Sequence, residues 1–593
     1  MTIIDNILNP LGPAATVLSK MPIGSKGSRK AKIVIVGEAP GRDEEIAGLP
    51  FVGMSGKELD KMLVDAGIFK TDATGKILNY DDVYFTNVVL IRPRDNDISE
   101  WLHPGKRRVK GKKPTPAHWV PYRGWQCEPH VVEDCRRLIE ELKEIKPNVV
   151  VCVGRTPFWA LCQEGIDAKK GTISRWRGST LVSDVIPGLK VIPTFHPAFI
   201  LRAWYNRRIT VQDLRRASWA SRSPEVEDPS WEFTIAPTYE QAVTFLQGLL
   251  FRLEEGPVKM TCDIEGAQKK TLCVGIGISA KQAICIPILY KFDFWFPPDQ
   301  RFIVHWLMAK VLSHKNAKVI NQNIPFDTQF LVEDLIIYPN IYWDTMVAQN
   351  VLWPGTPMNL AYQASMYCAQ YRYWKDDSEE FWKVKRISNW EEIWFYNCED
   401  AARTFEVQER QEESLARRHL TTQFDFMMSK VFKLIMKIMF KGVRVNHTRR
   451  LKMLHELYQV ILYAQNRVNY LATRELNIAS PKQLQDLFYR ELKLPIQLSD
   501  EGTPTTDAAA LVILAQMEPL IRELVKWINL VRSYASAVTV CKAEPDRDGR
   551  WRSAYSLGIV ETYRLSSKVN AFGRGLNLMN ITGGKDVKDG DED

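Results

Sequence analysis

The 593-residue sequence lacks the features that mark membrane, secreted and disulfide-rich proteins. No apolar run approaches the roughly 18 residues that a membrane span requires, and the N-terminal segment has neither a basic start nor a long apolar stretch. The 10 cysteines include no C-x-x-C pair, which argues against a disulfide framework or a structural zinc site. We therefore expect a cytoplasmic protein with no membrane partner.

The charge balance is only weakly basic. The formal net charge is +9 and charged residues make up 25% of the chain, so the excess only hints at a polyanionic partner. An apolar fraction of 45% is that of ordinary globular domains and excludes a wholly disordered chain. The length predicts about four domains. Motifs, rather than composition, must identify the function.

Changes in hydropathy pattern divide the chain into three blocks, and the fold class predicted is α/β multidomain. The first block alternates apolar strands with helical segments, which predicts a largely parallel sheet covered on both faces. The second begins with three consecutive strands, and long helical patterns dominate the third. The predicted divisions are an N-terminal extension (1–31), a parallel α/β domain (32–222), a linker (223–230), a mixed α/β domain (231–415) and a mostly helical domain (416–593).

Polar side chains follow three strands of the first block. Glu38 follows KIVIVG, Asn87 ends VYFTN and His196 follows VIPTF. Parallel strands end at one edge of a sheet, where ligands bind, so an acid, an amide and an imidazole should converge there. An amide can read a base edge, an imidazole can stabilise charge on a leaving base, and a carboxylate can position water. Considered singly, Glu38 also fits a helix-cap neighbour and His196 a core histidine.

These residues stand in motifs that resemble the family 4 type of uracil-DNA glycosylase. G-E-A-P-G precedes Glu44, P-F-V-G and S-G, and T-N and H-P-A follow later in the chain. The resemblance implies that Phe51 stacks on a flipped uracil, Asn87 reads its edge and His196 supports the departing base. Glu38 or Glu44 would handle the water. The other implied substrate-binding residues are Gly37, Ala39, Pro40 and Gly41.

Two departures from that family change the expectations for residues 32–220. Ile91 stands where the family has one of four cluster cysteines, and a [4Fe–4S] cluster needs four thiolates, so we expect no iron–sulfur cluster. An insertion of about 25 residues after Arg94 interleaves aromatic and basic residues, which suits phosphate and single-strand contact. Its tryptophans are Trp101, Trp119 and Trp125. The residues expected to bind DNA are Arg107, Arg108, Lys110 and Lys112, in a run that also holds Lys106 and Lys113.

Four carboxylates and a tyrosine mark the second block. Asp263 and Glu265 alternate on one strand and share a face, Asp327 ends N-I-P-F-D, and Tyr396 and Asp400 lie one helical turn apart. Four acids in one cleft can hold two hard divalent cations. Two such cations can clamp the attacking and leaving oxygens of phosphodiester hydrolysis.

The order D-x-E, N-x-x-F-D and Y-x-x-x-D resembles the DEDDy 3′–5′ proofreading exonuclease of family A DNA polymerases, and Asp344-Thr345-Met346 fits the same pattern. The resemblance spans about residues 231–415 and implies an RNase H-like sheet. It also implies two Mg²⁺ or Mn²⁺ ions held by the four acids, and a water oriented by Tyr396. A degenerate exonuclease fold is the alternative.

The third block carries segments similar to those of family A polymerases. G-V-R-V-N ends at Asn446, S-P-K-Q-L begins at Ser480, T-Y-R-L-S-S surrounds Arg564 and N-L-M-N-I ends at Ile581. The resemblance implies a thumb and the start of a palm, with Arg564 contacting DNA phosphate. A generic helical bundle, and a surface ion pair for Arg564, are the alternatives.

The motifs together predict a subunit of a split, bacteriophage-type family A replicative polymerase that binds primer–template and single-stranded 3′ ends. Twelve residues follow Ile581, so we expect a second chain to carry the rest of the palm and the fingers. A truncated single-chain polymerase is the alternative. The glycosylase-like domain could also be a non-catalytic template-binding module, because excision ahead of synthesis leaves an abasic template. A third hypothesis is a non-catalytic DNA scaffold. A phage-encoded chain would act in the cytoplasm of the bacterial host.

Overall fold

The computed structural model describes residues 21–104, 116–167, 169–227, 229–376, 389–499, 502–557 and 564–580. The chain forms two compact units. The first unit comprises Met1–Ala236, Ile276–Cys285 and Asn359–Gln411, and the second comprises Pro237–Gly275, Ile286–Met358 and Glu412–Asp593. Within the described ranges, no helix has both the length and the hydropathy that crossing a membrane demands.

A five-stranded sheet forms the centre of the first unit. Its order is Val83–Asn87, Ile33–Gly37, Val149–Val153, Lys190–Thr194 and Leu181–Val182. The first four strands run parallel, and the short edge strand is antiparallel. The predicted parallel α/β architecture is confirmed.

Both faces of this sheet are buried, as the continuous apolar strands predict. Val34 and Val36 face one core with Leu138 of a long helix, whereas Ile33 and Ile35 face the opposite core. This division follows from strand alternation. The helices of the first unit are Arg42–Ala47, Met54–Asp65, Pro129–Ile145, Arg155–Leu161, Ile173–Trp176, Pro197–Arg202, Arg207–Ala220, Leu360–Tyr367 and most of Trp390–Arg417.

Shorter elements complete the first unit. Leu102–Pro104, Trp125–Cys127 and Val120–Tyr122 form a small antiparallel sheet, and Gln282–Pro287 pairs in parallel with Glu232–Thr234. Single 3₁₀ turns occur at Arg94–Asn96, Ile98–Glu100, Gln163–Gly165 and Trp204–Asn206.

The segment predicted as a linker is fastened to the first unit. The ammonium of Lys190 donates hydrogen bonds to the carbonyl oxygens of Ala220, Ser223 and Glu225, with the first at 2.7 Å and the last at 2.9 Å. An ammonium group that donates to three carbonyl oxygens holds this segment more firmly than the polar composition of the segment suggests.

The second unit packs helices against parallel strands. Val258–Ala267 pairs with Ala317–Asn321, which pairs with Ile341–Asp344. The strand that follows Val258–Ala267 in the sequence is Lys270–Gly277, most of which belongs to this unit. Two-stranded pairs are Leu289–Tyr290 with Asp293–Phe294, Val443–Arg444 with Arg550–Trp551, and Ala554–Ser556 with Ser566–Lys568. The α-helices before residue 421 are Tyr239–Glu255, Pro298–Leu312, Ile324–Glu333 and Thr345–Leu352.

The third predicted block is mostly helical in the structure. His447–Leu471 and Arg522–Lys542 pack together, and their apolar residues join one core with Ala508–Met517. The helical segment that precedes Gly442 is divided into Thr421–Phe426, a π-helical turn Met427–Phe432 and Lys433–Lys441. The remaining helical segments are Pro481–Gln485, Asp486–Glu491, Pro519–Ile521 and Leu578–Asn580.

Candidate active sites

The first candidate site surrounds Gly37, where the central strand of the five-stranded sheet ends. Gly37 pairs in register with Asn87 of the adjacent strand. A Cβ placed on Gly37 would lie 2.2 Å from Asn87 Oδ1 and 2.7 Å from Phe51 Cζ. Only a residue without a side chain fits there, so the amide and the phenyl ring converge on one small cradle.

Glu44 holds the loop that carries Phe51. Its carboxylate accepts hydrogen bonds from the backbone N–H groups of Gly41 at 2.5 Å and Phe51 at 2.6 Å. Burial raises the pKa of Glu44, and these two bonds oppose that shift. Each carboxylate oxygen of Glu44 therefore already accepts a backbone hydrogen bond that fixes the loop.

Asn87 has an unused donor at the cradle. Its side chain is buried, and within the described residues its Nδ2 atom has no hydrogen-bond partner. Arg137 donates to the backbone oxygens of Asn87 at 2.6 Å and Val88 at 3.0 Å, which fixes the end of the strand. An unsatisfied buried donor costs about 1–3 kcal/mol, so a ligand oxygen here would be stabilised.

Glu38 lies at the same edge and is held by a threonine. The Thr156 hydroxyl donates to Glu38 Oε2. Burial raises the pKa of Glu38, and the Thr156 bond opposes that shift. Sequence reasoning missed Thr156, although it follows the strand that ends at Val153. The rule that placed Glu38 and Asn87 at the carboxyl edge could have found it.

His196 is neutral at pH 7 and carries its proton on Nε2. Its Nδ1 accepts a hydrogen bond from the backbone N–H of Ala198 at 3.2 Å, which leaves Nε2 as the donor. Burial, with a smaller contribution from the positive charge of Arg202, lowers the pKa of His196 to about 4. A neutral imidazole can therefore donate to an oxygen on which negative charge develops.

The cysteines of the first unit do not fit the iron–sulfur cluster of the family 4 glycosylases. Cys127 and Cys135 belong to an apolar core with Trp125 and Leu138. Burial raises the pKa of each thiol to about 12. A [4Fe–4S] cluster needs four thiolates, and Ile91, at one of the family's cysteine positions, packs against this same apolar core.

The tryptophans of the insertion do not serve as the exposed DNA contacts that the sequence suggested. Trp101, Trp119 and Trp125 are buried, and Trp125 stacks on Trp159 with ring centroids 5.2 Å apart. Trp101 and Trp125 belong to the apolar core that also contains Leu102 and Cys127 of the small antiparallel sheet. The predicted DNA-binding residues Arg107, Arg108, Lys110 and Lys112, with Lys106 and Lys113, lie outside the described residues.

The second candidate site is a group of carboxylates. Asp263 and Glu265 place side-chain oxygens within 4.8 Å of each other. They occupy alternate positions of Val258–Ala267, as predicted. Such a set of oxygen ligands suits a divalent cation.

Asp327 lies in the first turn of Ile324–Glu333 and is buried. Its Oδ2 atom accepts a hydrogen bond from Asn321 Nδ2 at 2.9 Å. Asp344 fastens the start of the same helix, because it accepts from the backbone N–H of Ile324 at 2.9 Å. Burial raises the pKa of Asp344 to about 6. Asp344 therefore supports the element that carries Asp327.

Two neighbouring residues hold the functional side chains of helix Trp390–Arg417. The indole of Trp374 donates to Asp400 Oδ1 at 2.7 Å. The ammonium of Lys375 donates to Tyr396 Oη at 2.7 Å and also to Asp400 Oδ2. Sequence reasoning missed both residues, because no motif links them to the Y-x-x-x-D helix.

Two of the polymerase-like segments of the third block contact each other. Arg564 is exposed beside Ser566–Lys568, and the Ser567 hydroxyl donates to Asn577 Oδ1 at 2.9 Å. Asn446 and Ser480 cap the helices that follow them. Thr562, Tyr563 and Ile581 lie outside the described residues.

Comparison with known proteins identifies three family segments. Residues 25–219 match the model described as uracil DNA glycosylase superfamily, residues 265–416 match 3′–5′ exonuclease, and residues 448–582 match DNA polymerase family A. The motif resemblances to these families are thereby confirmed.

Three known proteins are similar to parts of this chain. A type-4 uracil-DNA glycosylase of Thermotoga maritima is 32% identical over 194 residues, which are 32% of this chain and 79% of the relative. A DNA polymerase of Bacillus phage SP01 is 24% identical over 360 residues, which are 56% of this chain and 34% of the relative. The solved POL domain of Pol1 from M. smegmatis, in complex with DNA primer-template and dNTP, aligns with a TM-score of 0.43 and 17% identity. That alignment covers 60% of this chain and 56% of the solved one.

Proposed function

Residues 25–219 belong to the uracil DNA glycosylase superfamily, and from this premise, with the exonuclease and polymerase segments, we propose that the chain edits DNA for a family A polymerase. The principal activity proposed is hydrolysis of single-stranded 3′ ends. The observation that carries it is the pair Asp263 and Glu265, whose side-chain oxygens lie within 4.8 Å of each other on one strand, where the segment that matches 3′–5′ exonuclease begins.

The acids Asp263, Glu265, Asp327 and Asp400 would hold two divalent cations, Mg²⁺ or Mn²⁺, because both ions prefer carboxylate oxygens. When bound, the cations supply charge stabilisation to the attacking and leaving oxygens. Tyr396, on the helix that carries Asp400, orients the attacking water through its phenol oxygen. This residue set is that of a proofreading exonuclease.

Metal removal tests this proposal on the complete chain. A 5′-labelled single-stranded oligonucleotide should shorten from its 3′ end in magnesium. EDTA should stop the shortening, and excess Mg²⁺ or Mn²⁺ should restore it. Digestion that continues at the same rate in EDTA would reject a metal-dependent exonuclease.

A second function, uracil excision, is favoured by the unused Asn87 donor beside the neutral His196. A uracil flipped out of the DNA would stack on Phe51, and Asn87 Nδ2 would donate to one of its carbonyl oxygens. His196 Nε2–H would donate to the oxygen that gains negative charge as the base departs. Glu38 would position the water that attacks the sugar carbon.

A non-catalytic reader of template uracil uses the same contacts without bond cleavage. The two alternatives separate when a uracil-containing oligonucleotide is incubated with an exonuclease-deficient variant and then treated with alkali. Strand breakage at the uracil position supports excision. Binding of uracil-containing DNA without breakage supports the reader.

The third part of the proposal concerns DNA synthesis. We place this synthesis in the cytoplasm of a bacterial host. The family A match covers residues 448–582, which we propose act as thumb and early palm with Arg564 on the DNA phosphates. A second chain would supply the remaining palm and the fingers. Primer extension by the purified 593-residue polypeptide, with magnesium and all four nucleotides, tests this arrangement. Efficient extension without another polypeptide would overturn it.

A further inference from the structure

A lysine that lies outside every motif contacts the exonuclease residues of helix Trp390–Arg417. Lys375 Nζ lies 2.7 Å from Tyr396 Oη and 4.7 Å from the centre of the Tyr396 ring, and it also donates to Asp400 Oδ2. The preceding residue, Trp374, donates to the other oxygen of Asp400. Two consecutive residues therefore orient both functional groups of this helix.

We propose that Lys375 is a positioning residue of the exonuclease and that the glycosylase-like part of the chain holds it in place. The inference rests on the exonuclease function proposed above. By donating to Tyr396 Oη, Lys375 fixes the phenol oxygen that faces the attacking water. A carboxylate has about four lone-pair positions, so Asp400 can accept from Trp374 and Lys375 and still face a cation.

The segment 371–376, which carries Lys375, is anchored on glycosylase-like residues by three polar contacts. The N–H of Thr180 donates to the Tyr371 carbonyl at 2.8 Å, and the N–H of Tyr373 donates to Ser179 Oγ at 3.0 Å. Arg175 forms an ion pair with Asp376 at 2.6 Å. These contacts lie on both sides of Lys375 and restrict its backbone.

Ring packing adds to the anchor. The Trp176 and Tyr373 rings meet at 67° with centroids 5.4 Å apart, and the Arg175 guanidinium lies 5.8 Å from the Tyr373 ring centre. Aromatic pairs in such edge-on arrangements are favourable beyond the area that they bury. The segment 371–376 is therefore held by its side chains as well as by its backbone.

A buried ionic network supports the chain just before this segment. Arg177 donates to both oxygens of Asp213 and to Ser365 Oγ at 2.7 Å. Arg216 donates to the carbonyl of Cys368 at 2.8 Å. Thr194, at the end of the strand that leads to His196, donates to Asp213 at 2.7 Å. The element that positions the glycosylase histidine thus shares a rigid support with the segment that positions Lys375.

Replacement of Lys375 in the complete chain tests the positioning role. In single-turnover digestion of single-stranded DNA with magnesium, Lys375→Met should lower the hydrolysis rate at saturating DNA by about 30-fold. The DNA dissociation constant should stay within about twofold, because Tyr396 rather than DNA loses its partner. Lys375→Arg should restore most of the rate, since it keeps a donor of positive charge at this place.

Three outcomes bear on the inference. A wild-type rate for Lys375→Met, in a preparation that Asp263→Ala inactivates, overturns the role of Lys375 and leaves the exonuclease function standing. Absence of magnesium-dependent digestion by the wild-type chain overturns both. Loss of rate in Lys375→Met with recovery in Lys375→Arg supports the inference, because a general folding defect would not be repaired by arginine.

The anchor has its own test in a residue of the glycosylase-like part. Arg175→Ala should lower the same hydrolysis rate by about fivefold, because Lys375 then samples non-productive positions. The matched control is Arg29→Ala, which removes a 2.7 Å ion pair with Glu144 in which both side chains are more than 60% exposed. Equal rates for the two variants would overturn the anchoring role.

Discussion

The glycosylase-like pocket and the exonuclease carboxylates differ in the charge of the groups that line them. Around Gly37, burial keeps His196 neutral and raises the pKa of Glu38, while the amide of Asn87 offers an unpaired donor. In the exonuclease, Asp263 and Glu265 bring carboxylate oxygens within 4.8 Å of each other. The first arrangement suits an uncharged base that departs with negative charge, whereas the second requires cations.

This difference also determines how each site is supported. The pocket depends on space, because a Cβ on Gly37 would collide with Asn87 and Phe51. The carboxylate site depends on countercharge and hydrogen bonds, with Lys375 and Trp374 on Asp400 and Asn321 on Asp327. Filling the space at Gly37 should therefore affect only the first site, and removing a metal ligand should affect only the second.

The largest effect is expected from Asp263→Ala. Loss of this ligand should reduce magnesium-dependent digestion of single-stranded 3′ ends by about three orders of magnitude. Uracil excision should be unchanged, because the pocket contains no metal ligand from this group. The control is Asp299→Ala, which removes an exposed acid at the start of helix Pro298–Leu312. Equal digestion by both variants would contradict the metal site.

His196→Ala should have the next largest effect, on the other site. In the Asp263→Ala background, single-turnover uracil excision should fall by about 100-fold, as for the loss of one donor to a developing oxyanion. His118→Ala removes an exposed histidine of the same unit and should leave excision unchanged. If excision is present and the two histidine variants behave alike, His196 has no role in departure of the base.

Gly37→Ala tests whether the glycosylase-like pocket depends on the free space around Gly37. The added methyl group must displace Asn87 or Phe51, which should weaken binding of uracil-containing DNA by about tenfold, in line with overpacking costs of about 1–3 kcal/mol. Gly248→Ala is the matched control, since a Cβ there meets no atom within 4 Å. Digestion of 3′ ends should be normal in both variants. If Gly37→Ala instead lost digestion and kept normal binding of uracil-containing DNA, the dependence of the pocket on this space would be contradicted.

The smallest effect is a difference in pH dependence. His196 has a folded pKa of about 4, below its ordinary 6.5, so stability from its neutral state is present at pH 7 and falls as pH decreases from about 6.5 towards 4. Uracil excision should therefore show no acid limb near pH 6.5 from His196. An acid limb should arise instead from Glu38, whose carboxylate must be ionised. The pH dependence of the excision rate, measured for wild type and Glu38→Gln, distinguishes titration of Glu38 from titration of His196. An acid limb near pH 6.5 that persists in Glu38→Gln would contradict a neutral His196.

Sequence patterns determined the elements and the placement of the motifs in them. Alternation predicted that Asp263 and Glu265 share a face of one strand, and a four-residue spacing placed Tyr396 and Asp400 on one helix. The strands that end at Gly37 and Asn87 run parallel, as their apolar runs indicated, and the structure shows that they are adjacent. These features follow from local periodicity, which a sequence displays directly. The roles of the site residues remain predictions.

Only the tertiary structure decided which side chains are buried and what they contact. It showed that the Glu44 carboxylate fixes a loop and that Trp125 belongs to an apolar core, neither of which the spacing of residues indicates. It also brought Lys375 to Tyr396 and Asp400 across 21 and 25 residues of sequence. The low pKa of His196 has the same origin, because burial depends on residues distant in the chain. Hydrogen-bond partners and desolvation are set by packing in space, and residue spacing along the chain carries no direct record of them.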